Sequence, residues 1–297
     1  MKKPKSVLIR ISGANTEAII DRDQEILTLV CLAQVGIAPK LYGRFSGGIV
    51  YGFVQGSTFT VEDMKDDQKS ILVAKYLAYY HAKADVVGIP RQPILFQTLK
   101  NWLEEASSGT IQFLVPLIDK LNQHNISFKY LANEIQEMEE QFNLNNIRVA
   151  YCHNDLLAGN IIYDTSEDEP QIHFIDFEYG GYNYCGFDIG NHFCEMMGFN
   201  VDRELFPSTE FQLRWLTAYL KASYEYQELE PEDFDFQLQQ FHYEVSHFVL
   251  VAHLFWGIWS LIQYQYSEKK EEFNYLDYSI QRLEAYQRDK EYVTKML

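Results

Sequence analysis

The chain has 297 residues, of which 47% are hydrophobic and 23% charged, which excludes a disordered chain and gives length for two domains or one domain of two lobes. It carries 25 basic against 42 acidic residues, a net charge of −17. Such a surface repels phosphate backbones and anionic lipid, so nucleic acid and membrane insertion are not expected. The cysteines Cys31, Cys152, Cys185 and Cys194 form no C-x-x-C pair, which argues against a zinc ribbon or a disulfide scaffold and suits a reducing, cytoplasmic setting.

The start, MKKPKSVLIRISG, is basic, but Arg10 interrupts its apolar run too early for a signal peptide. Val7 to Ser12 reads as a strand with Arg10 as its one charge. Apolar residues at helical spacing (Ile26, Leu27, Leu29, Val30, Ala33) predict a helix within Ala18 to Val35, with Gly36 at the position just beyond its end. LYGRF and IVYGFV, split by Ser46-Gly47-Gly48, predict a β-hairpin, and Gln55-Gly56-Ser57 a hinge. Helical patterns follow around Ile71 to His81 and Leu99 to Leu103, and the stretch 109–146 reads as helix with loops. Ile147 to Cys152 reads as a strand entering the polar loop HNDLLAGN. Ile161 to Tyr163 and Ile172 to Ile175 read as strands around the acidic turn TSEDEP. Beyond residue 184 the pattern is helical and rich in aromatics. Its apolar run Phe248 to Ile262 is too short for a membrane span and is expected to be a buried core helix.

His153, Asp155, Asn160 and the strand-end Asp176 follow the order H-x-D-x₄-N, strand, D, which is the phosphotransfer layout of protein-kinase-like folds. A loop aspartate reaches the substrate hydroxyl, an amide a turn later ligates Mg²⁺, and a second carboxylate on a neighbouring strand bridges metal and phosphates. Two protein ligands suffice because Mg²⁺ keeps several waters and the ATP phosphates supply the rest. Asp155 and Asn160 taken singly are equally readable as turn-capping residues; the set in this order points to catalysis. His153 reads as a structural tie to the loop backbone.

HNDLLAGNIIY and FIDFEYGGYNYCGFDIGNHFCE strongly resemble the choline/ethanolamine kinase family, and HLFWGIWSLIQ, FNYLDYSIQRLEAY, VLIRISG, IIDRDQE, APKLYGRF and YGFVQG extend the resemblance over nearly the whole chain. The double leucine after Asp155, the D-R-D-x-E run and the Y-G-F-V-Q-G stretch are more similar to the ethanolamine kinases than to the choline kinases. The resemblance implies an α+β, protein-kinase-like two-lobed fold. Residues 1–55 would form the nucleotide-binding N-terminal lobe, and residues 56–297 a helical C-terminal lobe with the catalytic loop and an amino-alcohol pocket. It implies Asp155 as the catalytic base, Asn160 and Asp176 as Mg²⁺ ligands, Arg10 on the phosphates paired with Glu25, and Tyr51, Phe53 and Val54 beside the adenine. For the amino-alcohol it implies Glu178, Tyr179, Glu195, Trp256, Trp259, Tyr275 and Tyr278, with Asp188 bracing the catalytic loop. Aromatic faces and carboxylates suit a small ammonium, although W-x-x-W inside an apolar helix is also the pattern of plain core packing.

The implied activity is ATP-dependent phosphorylation of ethanolamine, with Mg²⁺ and ATP required. Choline kinase is the nearest alternative and a catalytically impaired, pseudokinase-like binding protein the alternative of another class. Two departures bear on this. The family has a glycine-rich loop before the strand carrying Arg10, whereas the residues before Val7 here contain no glycine, so the N-terminal lobe is expected to be incomplete and ATP binding weakened. Met196-Met197-Gly198 stands where choline kinases have aromatics, so one wall of an aromatic cage is expected to be missing. Oligomeric state, a homodimer included, is not legible in the sequence.

Overall fold

A computed structural model describes residues 6–12, 19–141, 147–266 and 273–294. Residues 1–5, on which the expectation of an absent glycine-rich cover falls, lie outside the described residues. The chain forms two compact units, one of Met1–Arg91, Ala150–Tyr182 and Pro207–His242, the other of Gln92–Val149, Asn183–Phe206 and Tyr243–Leu297.

In the first unit, β1 (Val7–Ile11), β2 (Leu41–Phe45) and β3 (Gly48–Gly52) form an antiparallel sheet in the order β1-β3-β2, with Arg10 opposite Ile49 and Leu8 opposite Tyr51. The period-2 alternation of β1 leaves Val7, Ile9 and Ile11 exposed and turns Leu8 and Arg10 to the more buried side. Helix α1 (Arg22–Gln34) begins where the Asp21 side chain accepts from the backbone N–H groups of Asp23 and Gln24, a side-chain cap that sets its start inside the expected span. It ends in a Schellman motif: Gly36, at φ +76°, donates to Ala33 O and Ile37 N to Leu32 O. The expected hairpin is present. The expected hinge is partly strand, because β4 (Ser57–Thr58) pairs with β6 (Ile161–Asp164), itself paired with β7 (Gln171–Phe174) around the acidic turn. Gly56 permits this at φ +128°, where a Cβ would meet Tyr163 O at 2.5 Å.

Helices α2 (Val61–Lys65), α3 (Asp67–Lys83) and α8 (Thr209–Gln227) complete this unit together with β5 (Val149–Cys152), which pairs with β8 (Gly181–Tyr184). Its core is aromatic. Tyr80 stacks on Phe177, Phe174 meets both Tyr80 and His153 edge-on, and Tyr219 of α8 stacks on Trp215 and bonds His81 at 2.7 Å.

The second unit is built from α4 (Leu95–Ser107), α5 (Ile111–Gln123), α6 (Phe128–Gln141), α7 (Cys185–Glu195), most of α9 (Phe234–Tyr266) and α10 (Tyr275–Thr294), so the ambiguous stretch 109–146 is largely two helices. Residues 142–146 of that stretch lie outside the described residues. Helix α9 is long and apolar enough to cross a membrane, but 94% of its apolar window is buried inside the protein, as expected of a core helix. Helices α7 and α9 approach backbone to backbone at Gly190, where a Cβ would lie 2.8 Å from Val249 N and 2.9 Å from Phe248 C. Next to that contact Asn191 of α7 accepts from Trp256 Nε1 of α9 at 2.6 Å.

Glu244 of α9 is a buried cost in this unit. A Cβ on Gly186 would sit 2.7 Å from its Oε1, an oxygen with no hydrogen-bond partner among the described residues. Burial, with a small contribution from Cys185, pushes its carboxyl from the ordinary 4.5 up to about 8. The folded chain therefore holds a proton that the unfolded chain releases, and folding stability falls as pH rises through the interval from 4.5 to about 8. Glu244→Gln should remove this slope and raise stability above that interval by on the order of a few kcal/mol. Urea unfolding of both proteins at about pH 5.5 and about pH 8.5 checks it; equal pH slopes would contradict it.

Candidate active site

The phosphotransfer residues assemble within the first unit. Asp155 opens the loop after β5 and is buried. Asn160 Nδ2 donates to Asp155 O at 2.8 Å and to Asp155 Oδ2 at 3.0 Å, which orients the aspartate and leaves the amide carbonyl oxygen of Asn160 for a cation. His153 Nε2 donates to the Ile175 carbonyl at 2.9 Å, and Asn154, in the left-handed region at φ +64°, donates from Nδ2 to Tyr179 O at 2.9 Å. The HNDLLAGN loop is thereby tied to both sides of Asp176. His153 is structural, as its place in the motif suggested. Asp176 also has a positive φ, +62°, a costly backbone that places its carboxylate outside the β7 ladder.

Arg10 is ion-paired with Glu25 of α1 and with Asp176, and lies 3.7 Å from Glu178. The expected Arg10–Glu25 pair is thus formed, with Glu25 buried and carried on the inner face of α1. A residue to which the sequence reading gave no role joins them: Arg22 Nη1 donates to Glu25 Oε2 and to Glu178 Oε2, both at 2.9 Å. Gln24 Nε2 donates to Gly180 O at 2.9 Å, and Thr28 shares a 2.5 Å hydrogen bond with the Tyr151 hydroxyl, so polar side chains of α1 reach both the Asp176–Gly180 segment and β5. Burial, then Asp176 close by, raises the carboxyl of Glu178 above the usual range against the pull of Arg22 and Arg10. Tyr51 is raised by burial as well, and the influence of Arg10, Asp176 and Glu178 on it places its ring beside this cluster. Phe53 is 54% exposed and Val54 half-buried at the end of the same segment.

Glu25, Asp176 and Glu178 each offer an oxygen, and these atoms lie within 4.8 Å of one another. Three carboxylates against two arginines leave the cluster net negative, and its all-oxygen donor set fits a hard divalent cation such as Mg²⁺. The structure groups Glu178, expected on the amino-alcohol, with this cluster. Tyr179 stands next to it, half-buried.

The remaining expected amino-alcohol residues gather in the second unit. Trp256 is 6% exposed, donates Nε1–H to Asn191 Oδ1 at 2.6 Å and packs against Phe255, which are the marks of a core tryptophan. Trp259 is more open. It links Trp256 (5.4 Å between ring centroids) to Tyr275 (5.8 Å), and the series continues through Phe273 to Tyr278 and Phe199. Met196 and Met197 are buried, Gly198 takes φ +64°, and Phe199, 62% exposed, packs on Phe273 at 5.7 Å. The aromatic surface expected to be missing at Met196-Met197-Gly198 is therefore present one residue later. Only the tertiary packing of Phe199 on Phe273 and Tyr278 reveals it. Glu195 pairs with Arg282, and Asp188 is fully buried in α7.

An arginine–glutamate pair over a sheet and helix, an aspartate–asparagine loop and a strand-end aspartate together define a protein-kinase-like phosphotransferase. The chain is similar to a solved Plasmodium vivax ethanolamine kinase with a TM-score of 0.82 and 29% identity, covering 94% of this chain and 75% of that one. It is 37% identical over 289 residues to a probable ethanolamine kinase of Arabidopsis thaliana (97% of this chain, 73% of that protein). To the probable ethanolamine kinase A of Dictyostelium discoideum it is 34% identical over 282 residues (94% and 76%). A family model described as choline/ethanolamine kinase matches residues 1–287, and the chain belongs to that family.

Proposed function

We propose that this protein is an ethanolamine kinase, moving the γ-phosphoryl group of ATP to the hydroxyl of ethanolamine and so supplying phosphoethanolamine for phosphatidylethanolamine synthesis. The observation that carries the chemistry is the loop in which Asn160 orients Asp155 while His153 ties it to Ile175, the residue just before Asp176. Asp155 accepts the hydroxyl proton, the freed oxygen pair forms the bond to the γ-phosphorus, and the bond to the β-bridging oxygen breaks, with its electron pair leaving on ADP. Arg10, held by Glu25, faces the phosphates, and Tyr51, Phe53 and Val54 of the 1–55 lobe lie beside the adenine. Asn160 and Asp176, with Glu178 as a third oxygen donor, would hold Mg²⁺, which supplies charge neutralisation on the phosphates. The free state of all four cysteines supports a cytoplasmic setting.

Relatives named ethanolamine kinase support the acceptor. A second reading, choline, is favoured by one observation, the run of rings from Trp259 to Phe199. A primary ammonium donates three hydrogen bonds and a trimethylammonium none, so carboxylate recognition separates the two. We expect a preference for ethanolamine of at least about tenfold in kcat/KM, roughly 1.4 kcal/mol. Both substrates competing in one assay with limiting ATP measure it; equal or greater use of choline would promote the second reading.

A further inference from the structure

In the second unit Glu195, the last residue of α7, is 7% exposed, and Arg282 of α10 is fully buried. Arg282 Nη2 donates to Glu195 Oε1 at 2.5 Å, its Nε donates to the Tyr278 hydroxyl at 2.8 Å, and the guanidinium lies 5.2 Å from the centre of the Tyr278 ring. The third arm, Nη1, has no acceptor among the described residues. The neighbouring charged and titratable groups are Cys194 of α7, His253 of α9, Asp289 of α10 and Arg203. Asp289 is engaged elsewhere, with Arg203 at 3.3 Å, Arg288 at 3.0 Å and His253 at 3.6 Å. Among the described residues Glu195 is thus the one carboxylate bonded to Arg282.

A guanidinium in direct contact bonds one oxygen of the carboxylate and so fixes the plane in which the other oxygen lies. Glu195 Oε2 has no donor among the described residues, and the rings of Tyr278, Phe273 and Tyr275 stand around this corner of the unit. The pair is net neutral, so what it offers a ligand is a strong hydrogen-bond acceptor and not a net charge. Such an acceptor distinguishes amines by their N–H groups.

We infer that Arg282 is a positioning residue that sets substrate choice: by bonding one oxygen of Glu195 it turns the carboxylate so that its second oxygen accepts from the N–H groups of a primary ammonium. The inference rests on the reading of Glu195 as part of the amino-alcohol pocket. N-methylated ethanolamines should accordingly be used less well with each N–H lost, and that gradient depends on Arg282.

The test uses the full chain with ethanolamine, N-methylethanolamine, N,N-dimethylethanolamine and choline, comparing wild type, Arg282→Lys, the charge-neutral double variant Glu195→Gln/Arg282→Met, and Glu195→Ala. In Arg282→Lys the KM for ethanolamine should rise about tenfold with the KM for ATP within about twofold, and the gradient of kcat/KM across the four amines should flatten about tenfold. The double variant, which leaves no buried unpaired charge, should flatten it equally and decides the matter if Arg282→Lys does not fold. A gradient unchanged within about twofold, or KM values for ethanolamine and ATP that rise together, would overturn the inference. If Glu195→Ala leaves the ethanolamine KM unchanged, the pocket reading itself fails and the inference with it; a raised KM there with an intact gradient in Arg282→Lys overturns the inference alone.

Discussion

Asp155→Ala is expected to lower kcat by about a thousandfold or more while the dissociation constant for ATP stays within about threefold of wild type. The asymmetry follows from geometry. Asp155 is held by Asn160 through both its side chain and its own carbonyl, so truncation leaves the backbone bond, and with it the loop, in place. The tie from His153 to Ile175 and the one from Asn154 to Tyr179 do not involve the lost carboxylate. What disappears is the acceptor for the hydroxyl proton, a contribution of about 10²–10⁴ on its own. Asp155→Asn, which keeps the shape and removes the basicity, should match it. Steady-state kinetics with ATP binding by calorimetry check both, and a turnover within about tenfold of wild type would remove Asp155 from the role of base.

Asp176→Asn is expected to abolish the Mg²⁺ dependence of ATP binding and to lower kcat/KM for ATP by about a hundredfold or more. Asparagine is the informative substitution because residue 176 has φ +62°, a conformation that asparagine tolerates and alanine does not. The lost function is then one carboxylate oxygen from the trio with Glu25 and Glu178, and one of the partners of Arg10. Arg10 keeps Glu25, so the sheet and α1 should stay in register. Titrating ATP binding against Mg²⁺ concentration reads the effect. A variant that still binds ATP more tightly with Mg²⁺ than without it would place the cation on other ligands.

The parts of this site that were legible in the sequence are those whose meaning lies in local spacing. The interval from His153 to Asn160 is a loop with its own internal hydrogen bonds, and alternation along VLIRI turns Arg10 to the buried side of β1, so both announce themselves within a few residues. The unread parts join segments far apart in the chain. Arg22 has the composition of an ordinary first-turn helix residue until Glu178 arrives beside it from 156 positions away. Arg282 carries no local signal of a partner, and only packing brings Glu195, 87 positions away, to it. The tryptophans show the limit from the other side. The W-x-x-W spacing serves core and ligand equally well, and burial with the Asn191 hydrogen bond marks Trp256 as core while Trp259 stays partly open. At Gln55-Gly56-Ser57, turn-forming composition suggested a hinge, but the positive φ of Gly56 instead lets Ser57 add to the β6 edge.

The measurement that bears most directly on the account is phosphorus NMR of the purified full chain with ATP, Mg²⁺ and ethanolamine, with Asp155→Ala as the blank. The account predicts a phosphoethanolamine resonance growing in step with ADP, absent in the blank and absent without Mg²⁺. ATP that stays intact with wild type, or ADP that accumulates without a phosphomonoester of the amino-alcohol, would contradict it.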